Sequence, residues 1–367
     1  MKIFTATFYQ NNYGSVLQAY ALQQKLKELG GEPVIISASK QSFSRNKDIW
    51  QKVFNLLKPE KHYGPIRKIR RALQKRMYTQ KGIKINEFIA ANLEVKSFEE
   101  CIKEMDKQNS ILLAGSDQIW SIINHQISDT YLFNYPEYKG MRKYSYAASI
   151  GVSDLTDEQI LYYKKALSSF DSVSFREKAA YNLLKDKLDN PIIRQDIDPT
   201  LLYSSAFWKK LAIKRSNDHP YLFIYMLRPD KKVIRIARKI AKEKHLDIIY
   251  MGLYVNYYRG IKTVSDGGVE DFLSYIKHAE IVITNSFHGT AFSILFEKKF
   301  VSVKLASTSS RVENLLEIVG LSDHLITDIS NSEIAELTYD GERVRTRLEA
   351  KRIESIQYLK EIIELQK

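Results

Sequence analysis

The sequence predicts an α/β protein of two Rossmann-like domains that face a cleft, with a long C-terminal helix. Apolar runs of strand length alternate with amphipathic stretches of helix length, which is typical of parallel sheets. The alternation occurs twice in 367 residues, a length that ordinarily divides into two domains. We expect an N-terminal domain at 1–212, a second domain at 213–335, and a terminal helix at 336–367 that packs back across both.

Each domain is predicted from its own series of elements. The first series opens with a βαβ unit, in which Gly30-Gly31 ends the helix. Its predicted strands are 2–6, 33–37, 111–114, 143–148, 172–175 and 191–196, and its first helix is 16–26. The second series predicts strands 221–225, 247–251, 280–284 and 300–303, and helices 231–244, 269–279, 289–296 and 311–319. A charged amphipathic stretch at 342–365 predicts the last helix.

Composition narrows the classes of protein. A hydrophobic content of 44% excludes a disordered chain. The single cysteine, Cys101, excludes an internal disulfide framework and a thiolate metal site, and it fits a reducing cytoplasm. The N-terminus resembles a strand more than a signal peptide, and no apolar run approaches the ~18 residues that span a bilayer. We expect a cytoplasmic protein, at most peripheral at the inner face of the cell membrane.

The net charge of +13 is concentrated in one basic insertion, residues 40–84. That segment holds 14 Lys or Arg and two acids, whereas the rest of the chain is nearly neutral. Apolar residues recur in it at helical spacing: Trp50, Val53, Phe54, Leu57, Ile66, Ile69, Leu73 and Met77. Such helices suit an anionic membrane surface, but a solvated face with its apolar stripe packed on the domain is equally compatible. A charge confined to one segment disfavours a nucleic-acid partner.

Open parallel sheets bind ligands beyond the carboxyl ends of their strands, so candidate site residues are sought in those loops. The first such loop contains Asn12, Tyr13, Gly14 and Ser15. Gly14 permits close approach of a ligand, and the following helix N-terminus attracts anions. The alternative is an ordinary Asn/Gly turn with Ser15 as the helix cap.

Two further loops of the first domain carry polar side chains after strands. In the loop after 111–114, Asp117 suits a base or a sugar-hydroxyl acceptor, and Trp120 suits stacking on a sugar. The alternative is a capping residue with Trp120 in the core. Arg176 follows the strand 172–175 and suits an anion, or else a structural ion pair with Glu177. Asp198, before Pro199, suits either a turn or a site.

The second domain offers one histidine in a ligand-binding position. His288 follows the strand 280–284 and opens a helix, where it can exchange protons near neutral pH. No HxH or HxxxH pair occurs, so no metal site is expected. GxGxxG, P-loop and GxSxG patterns are also absent, which disfavours nicotinamide enzymes, nucleoside triphosphatases and serine hydrolases.

Taken in order, these segments resemble the polysaccharide pyruvyl transferase family. The matching stretches are 12–22, 114–120, 145–149, 174–177, 198–202 and 286–291. The resemblance implies a fold similar to glycosyltransferases of the two-Rossmann (GT-B) type. It also implies transfer of a pyruvyl group from phosphoenolpyruvate onto a saccharide to form a ketal in capsular or exopolysaccharide synthesis. No cofactor is expected. The expected acceptor is a saccharide, either free or linked to polyprenyl diphosphate.

The resemblance also suggests roles for individual residues. His288 and Asp117 are the expected catalytic pair. The expected donor-binding residues are Arg176, Arg311, Asn285, Ser286, Gly289, Thr290 and Gly14. The expected acceptor-binding residues are Asn12, Tyr13, Ser116, Gln118, Trp120 and Asp198.

One departure from the family pattern concerns charge at the donor. Many members carry an arginine two residues before the motif histidine, where this chain has Ser286. Arg311 and Lys304 are the nearest candidates to replace that cation, and the position of Arg311 at a predicted helix start favours it. Two other functions stay open: a nucleotide-sugar glycosyltransferase of the same fold, and a non-catalytic glycan- or lipid-binding protein.

Overall fold

The computed structural model describes nine ranges of the chain: 1–10, 12–37, 80–122, 126–190, 192–214, 219–254, 256–304, 310–326 and 338–364. Most of the basic insertion, including the two apolar stripes between Trp50 and Met77, lies outside the described residues. The prediction of membrane-facing helices there stays a prediction.

Seven of the described strands form one parallel sheet in the first half of the chain. They are β1 (Lys2–Ala6), β2 (Glu32–Ile36), β3 (Val95–Lys96), β4 (Ser110–Ala114), β5 (Arg142–Ser145), β6 (Ser172–Phe175) and β7 (Ile192–Gln195). Their order is β3-β2-β1-β4-β5-β6-β7, so the chain reverses direction across the sheet between β1 and β4. A ligand crevice is expected at this reversal, beyond the carboxyl ends of both strands.

Helices cover both faces of this sheet, as parallel strands require. They are α1 (Tyr13–Glu28), α2 (80–92), α3 (Phe98–Glu104), α4 (Asp129–Leu132), α5 (Asp157–Leu167), α6 (Lys178–Leu184) and α7 (Ser205–Leu211). Short 3-10 turns occur at Pro136–Tyr138 and Pro199–Leu202. The Asn12 side chain caps α1 by accepting the Gly14 N–H at 3.0 Å, so the predicted Ser15 cap is wrong.

The second half of the chain forms a second parallel sheet, six-stranded among the described residues. Its strands are β8 (Tyr221–Met226), β9 (Asp247–Gly252), β10 (Lys262–Val264), β11 (Ile281–Thr284), β12 (Lys299–Val303) and β13 (Leu325–Ile326), in the order β10-β9-β8-β11-β12-β13. Its helices are α8 (Lys231–Lys244), α9 (Val269–His278), α10 (Phe287–Leu295) and α11 (Ser310–Val319), with a 3-10 turn at Ser322–His324. The predicted α/β class with two parallel-sheet units is confirmed.

The last helix, α12 (Gly341–Glu364), contacts both halves. Near its start, Arg345 forms an ion pair with Glu297 of the second half. Farther along, the Arg352 guanidinium donates to the carbonyl oxygens of Leu201 and Tyr203, at 2.9 and 3.2 Å, in the first half. The helix therefore bridges the two sheets.

One continuous apolar core joins the two halves. Trp208 is fully buried and packs edge-on against Phe292 of α10 and near Tyr20 of α1. Burial of large aromatic side chains contributes the most per residue to such a core. The two sheets are thus held by packing, and not by a bare linker. None of the described helices is both long and apolar enough to traverse a bilayer.

The Tyr358 hydroxyl gives a test of how α12 is attached. It donates to the Ser145 carbonyl oxygen at 2.9 Å and lies 2.7 Å from the Ser172 hydroxyl, all buried. We expect Tyr358→Phe to lower the free energy of unfolding by about 1–3 kcal/mol, because it leaves those partners unsatisfied. Urea unfolding followed by circular dichroism measures the change.

Tyr138 is the matched control, since its buried hydroxyl has no hydrogen-bond partner among the described residues. Tyr138→Phe should leave the free energy of unfolding unchanged or raise it. Equal destabilisation by the two substitutions would show that the α12 hydrogen bonds contribute nothing specific.

Candidate active site

The loops after β4, β6, β7 and β11 meet around the carboxylate of Asp198, which is fully buried. Its Oδ2 atom accepts a hydrogen bond from Arg176 Nη1 at 2.7 Å and lies 3.7 Å from His288 Nε2. Its Oδ1 atom accepts from the amide and the hydroxyl of Thr200, at 2.9 and 2.7 Å. Asp198 therefore joins a guanidinium from the first sheet to an imidazole from the second.

Arg176 follows β6 and is only 2% exposed. Besides Asp198, it faces Asp117 and Glu177, whose carboxylates lie 3.8 Å from its Nη2 and Nε atoms. The Phe287 ring lies under the guanidinium, 4.8 Å from ring centre to Cζ. The Nε and Nη2 atoms have no hydrogen-bond partner among the described residues. Buried N–H groups are rarely left unpaired, so these are well suited to receive an anionic ligand.

Asp117 adopts a strained backbone conformation, with φ at +73°. Left-handed backbone in a residue other than glycine is uncommon and concentrates at functional sites. The conformation presents its carboxylate to the Ser15 hydroxyl, which donates at 2.7 Å, and to the Gln118 amide at 2.9 Å. This loop is thereby fixed against the start of α1.

Electrostatics keep this buried group of side chains ionised. Burial opposes ionisation of Asp198, but His288 and Arg176 overcome it and hold the pKa of this carboxyl well below its ordinary value. Burial likewise opposes ionisation of Asp117, and Arg176, followed by His288 and Arg311, lowers its pKa. Burial disfavours the charged guanidinium, yet the surrounding carboxylates, Asp198 foremost, raise the pKa of Arg176.

His288 is the second residue of α10 and is 4% exposed. A Cβ atom added at Gly14 would overlap the His288 ring, so the start of α1 packs directly on the imidazole. Its Nε2 atom has no hydrogen-bond partner among the described residues. Ser286 caps the helix by accepting the Gly289 N–H. The first turn of α10 contains no acid, so its dipole favours an anion beside the histidine.

Arg311 lies near the same carboxylates, whereas Lys304 does not take part. Burial, and then repulsion from Arg176, lowers the pKa of the half-buried Arg311, while Asp117, Glu177 and Asp198 oppose this shift. Lys304 instead pairs with Glu313 at 2.6 Å, with both side chains about two-fifths exposed. Arg311 is thus the cation that the structure places beside Arg176.

Three predicted acceptor-binding residues are wrong. Trp120 is fully buried between Phe170 and Phe175, and its indole N–H donates to the Tyr131 carbonyl, so it has no face for a sugar. Tyr13 is 1% exposed and its hydroxyl donates to the Gly267 carbonyl oxygen. Asp198 lies beneath Arg176 and His288 and has no surface to offer an acceptor.

The remaining predicted residues lie around this group with internal partners. Ser116 is fully buried, 3.5 Å from Asp198, and Thr290 bonds to the Ser302 hydroxyl at 2.7 Å. Asn285 accepts from the Leu227 amide at 3.0 Å and supports the neighbouring loop. Asn12 caps α1, and Gln118 is partly exposed beside Gly151. Gly289 packs against the Thr284 side chain.

Four residues of the site were not among the predicted ones. Ser15 holds Asp117, Ser149 donates to Glu177, and Phe287 supports Arg176. Glu177 is fully buried, with one carboxylate oxygen unpartnered among the described residues. Glu177 and Phe287 could have been predicted as site residues from the sequence, because they are adjacent to Arg176 and His288. Among the described residues, no set of three His, Cys, Asp or Glu is arranged to hold a metal ion.

Comparison with solved structures defines the class of fold. A structure of S. aureus MnaA with UDP superposes with a TM-score of 0.53 at 14% identity, covering 99% of this chain and 97% of that one. UDP-GlcNAc 2-epimerase from Neisseria meningitidis, solved with UDP-GlcNAc, gives 0.49 at 10% identity, covering 99% and 94%. Similarity at this identity concerns the fold alone, which is GT-B-like.

The family follows from the sequence match. The model of the polysaccharide pyruvyl transferase family matches residues 12–306, most of the chain. The chain therefore belongs to the polysaccharide pyruvyl transferase family, which makes it a transferase. No curated protein matches it.

The contact between Gly14 and His288 gives a test of the site's packing. Any side chain at Gly14 must displace the imidazole or move α1. We expect Gly14→Ala to lower the free energy of unfolding by about 1–3 kcal/mol, the usual effect of overpacking. Chemical denaturation of the purified variant measures it.

Gly82 supplies the control, because a Cβ there meets no heavy atom within 4 Å among the described residues. In the helix α2, Gly82→Ala should raise the free energy of unfolding by about 0.5–1 kcal/mol. A stable Gly14→Ala variant with an unshifted His288 NMR signal would contradict the packing described here.

Proposed function

We propose that this transferase moves the pyruvyl group of phosphoenolpyruvate onto two hydroxyls of a saccharide, forming a pyruvate ketal. The proposal rests mainly on the position of Arg176 and His288, which both lie beside Asp198. N–H groups of Arg176 and the Nε2 atom of His288 have no hydrogen-bond partner among the described residues. Family membership supports a pyruvyl donor. The donor's carboxylate and phosphate are the anions that such groups bind.

Charge balance supports His288 as the acid. Three carboxylates, Asp117, Glu177 and Asp198, face two arginines, Arg176 and Arg311, so this group is neutral only when His288 is protonated. Entry of an anionic donor adds negative charge beside the imidazole and stabilises its protonated form further. The histidine would therefore hold a proton when the donor is bound.

The chemistry needs one proton delivered and two removed. The protonated His288 gives a proton to the enol methylene, which becomes a methyl group and leaves the adjacent carbon cationic. A sugar hydroxyl attacks that carbon and loses its proton, and phosphate then leaves with the electrons of its C–O bond. A second hydroxyl attacks the same carbon, closes the ketal and loses its proton. One of the two released protons restores the protonated His288, and the other ends on the departing phosphate. Asp117 is our candidate to accept a proton on the acceptor side, as its carboxylate is ionised and 8% exposed.

A nucleotide-sugar donor is disfavoured at one helix N-terminus of the second sheet, that of α9. The first turn of α9 carries Glu270 and Asp271, and Asp271 already accepts the Gly268 amide at 2.8 Å. These carboxylates would repel a diphosphate at that helix start. The acid-free start of α10, with His288 and Arg311 nearby, suits a small anion better.

The acceptor is proposed as a class of saccharide and not as one particular sugar. We propose a saccharide of capsular or exopolysaccharide synthesis, presented at the cytoplasmic face of the membrane on a polyprenyl diphosphate carrier. The basic composition of residues 40–79 supports an anionic surface as the place of encounter.

His288→Ala tests the proposal directly. We expect phosphate release from phosphoenolpyruvate, in the presence of a lipid-linked saccharide, to fall by a factor of at least about 10²–10⁴, the usual share of general acid catalysis. His219→Ala, in an exposed position, is the control and should keep full activity. Mass spectrometry of the saccharide identifies the ketal. Full activity of His288→Ala, or transfer from nucleotide sugars only, would end the assignment.

Arg311→Met tests the replacement of the family arginine. We expect the KM for phosphoenolpyruvate to rise about 10- to 100-fold, since a hydrogen bond to a charged group contributes about 1.5–3 kcal/mol. Lys304→Met removes the neighbouring cation that pairs with Glu313 and should leave KM unchanged. Equal effects of the two substitutions would remove Arg311 from the donor site.

A further inference from the structure

The helix α2 belongs to the first half of the chain but contacts the carboxyl edge of the second sheet. Lys81 Nζ donates to the Gly252 carbonyl oxygen, at the end of β9, at 2.9 Å. One turn later, Lys84 Nζ lies 3.3 Å from Asp271 Oδ2 at the start of α9. The two lysines differ in burial, because Lys81 is 5% exposed whereas the Lys84 side chain is 43% exposed.

Lys81 is a buried amine without a carboxylate partner. Among the described residues, no acid lies within ion-pair distance of it, and its other contact is the face of the Tyr13 ring, 4.5 Å from Nζ to the ring centre. Residues 80–84, the end of the predicted basic insertion, thus belong to α2, and Lys81 packs against the second sheet. Burial lowers the pKa of Lys81 to about 7. Lysines in such surroundings are uncommon outside functional regions.

Contacts lead from Lys81 to His288 through two consecutive residues. The Tyr13 ring lies between Lys81 and Phe272, stacked on the latter at 5.2 Å, and its hydroxyl donates to the Gly267 carbonyl at 2.8 Å. The next residue, Gly14, packs on the His288 imidazole. The ring of Tyr13 thus fixes the start of α1 against the second sheet at the point where that sheet presents His288.

We propose that Lys81 is a positioning residue: its buried amine fastens Tyr13 between the two halves and so sets the position of Gly14 against His288. The catalytic part of this inference rests on the proposed function, whereas the structural part does not.

The fastening is expected to depend on pH. The ionisable groups around it are Tyr13, Tyr225 and Tyr250 from the apposed strands and loop, the acids Asp266 and Asp271, and Lys84 of the same helix. Tyr13 and Tyr225 stay neutral below pH 10, because burial, in first place, raises the pKa of both hydroxyls. Lys81 is then the group that changes charge near pH 7, and its charged form is the one that burial disfavours.

The direction of this pH dependence follows from the linkage between proton binding and folding stability. An amine whose folded-state pKa lies below the unfolded value binds fewer protons in the folded state between those two values, so stability rises with pH there. Local opening of the Tyr13 contact should accordingly be more frequent below pH 7 than above it.

Hydrogen–deuterium exchange across pH 6–8.5, corrected for intrinsic exchange rates, tests the structural part without any substrate. In the wild-type protein we expect protection of peptides covering 12–20 and 248–254 to increase by about tenfold from pH 6 to 8, a change of about 1.4 kcal/mol. Lys81→Met, which keeps a long buried side chain, should make this protection independent of pH. Lys84→Met is the matched control and should behave as the wild type, because its exposed ion pair contributes little.

Activity gives the second readout. Lys81→Met should lower kcat by between about 10- and 100-fold with KM for phosphoenolpyruvate within about twofold, as expected for a displaced catalytic group. A wild-type exchange profile without pH dependence, or a Lys81→Met profile that matches it, would overturn the proposal even if pyruvyl transfer is confirmed. A pH-dependent profile in a protein that transfers no pyruvyl group would retain the interdomain fastening and refute the proposed function. Should Lys81→Met fail to fold, Lys81→Gln provides the same comparison.

Discussion

The buried ion pair between Arg176 and Asp198 is the interaction on which the site depends. Removing two charges from water is costly, and the pair is retained only because its geometry satisfies both partners. Asp198 receives five hydrogen-bond donors or near neighbours: Arg176, the amide and hydroxyl of Thr200, the Ser116 hydroxyl, and His288. Two nitrogen atoms of Arg176, Nε and Nη2, have no hydrogen-bond partner in the described part of the chain, since the other carboxylates stand at 3.8 Å. The same bond that anchors the guanidinium therefore leaves it capable of binding a ligand.

The relative position of the two sheets is set by packing. His288 reaches Asp198 across the boundary between the halves, and Trp208, Phe272 and Phe292 fill the space behind it with a continuous apolar core. Electrostatic catalysis is most effective when its groups are held in place before the reaction. A site assembled from two sheets needs such a core, because a movable boundary would vary the distance between imidazole and carboxylate.

The sequence was sufficient to predict the architecture, but it could not show how deeply each candidate site residue is buried. Alternation of apolar runs located the long strands, whereas β3, β10 and β13, two or three residues each, are too short to produce a pattern. The strand-end rule placed Arg176, Asp198 and His288 at one edge. It could not show that Asp198 lies beneath Arg176 and His288. It also could not show that Trp120 is buried, since a tryptophan suits both a protein core and a sugar-binding surface. Nor could the charge pattern show that Lys81 is buried, because its burial comes from the opposite sheet.

The topology of the second sheet brings His288 and Arg311 to the same edge. β11 and β12 are parallel neighbours, with Thr284 paired to Ser302, so both strands end at the same edge of the sheet. The loop after β11 supplies His288, and α11, after β12, supplies Arg311 at its second residue. The starts of α10 and α11 thus both bring a basic side chain near the Asp198 carboxylate. Ser286 caps α10 by accepting the Gly289 N–H. Because the first turn of that helix contains no acid, its N-terminus is favourable to negative charge.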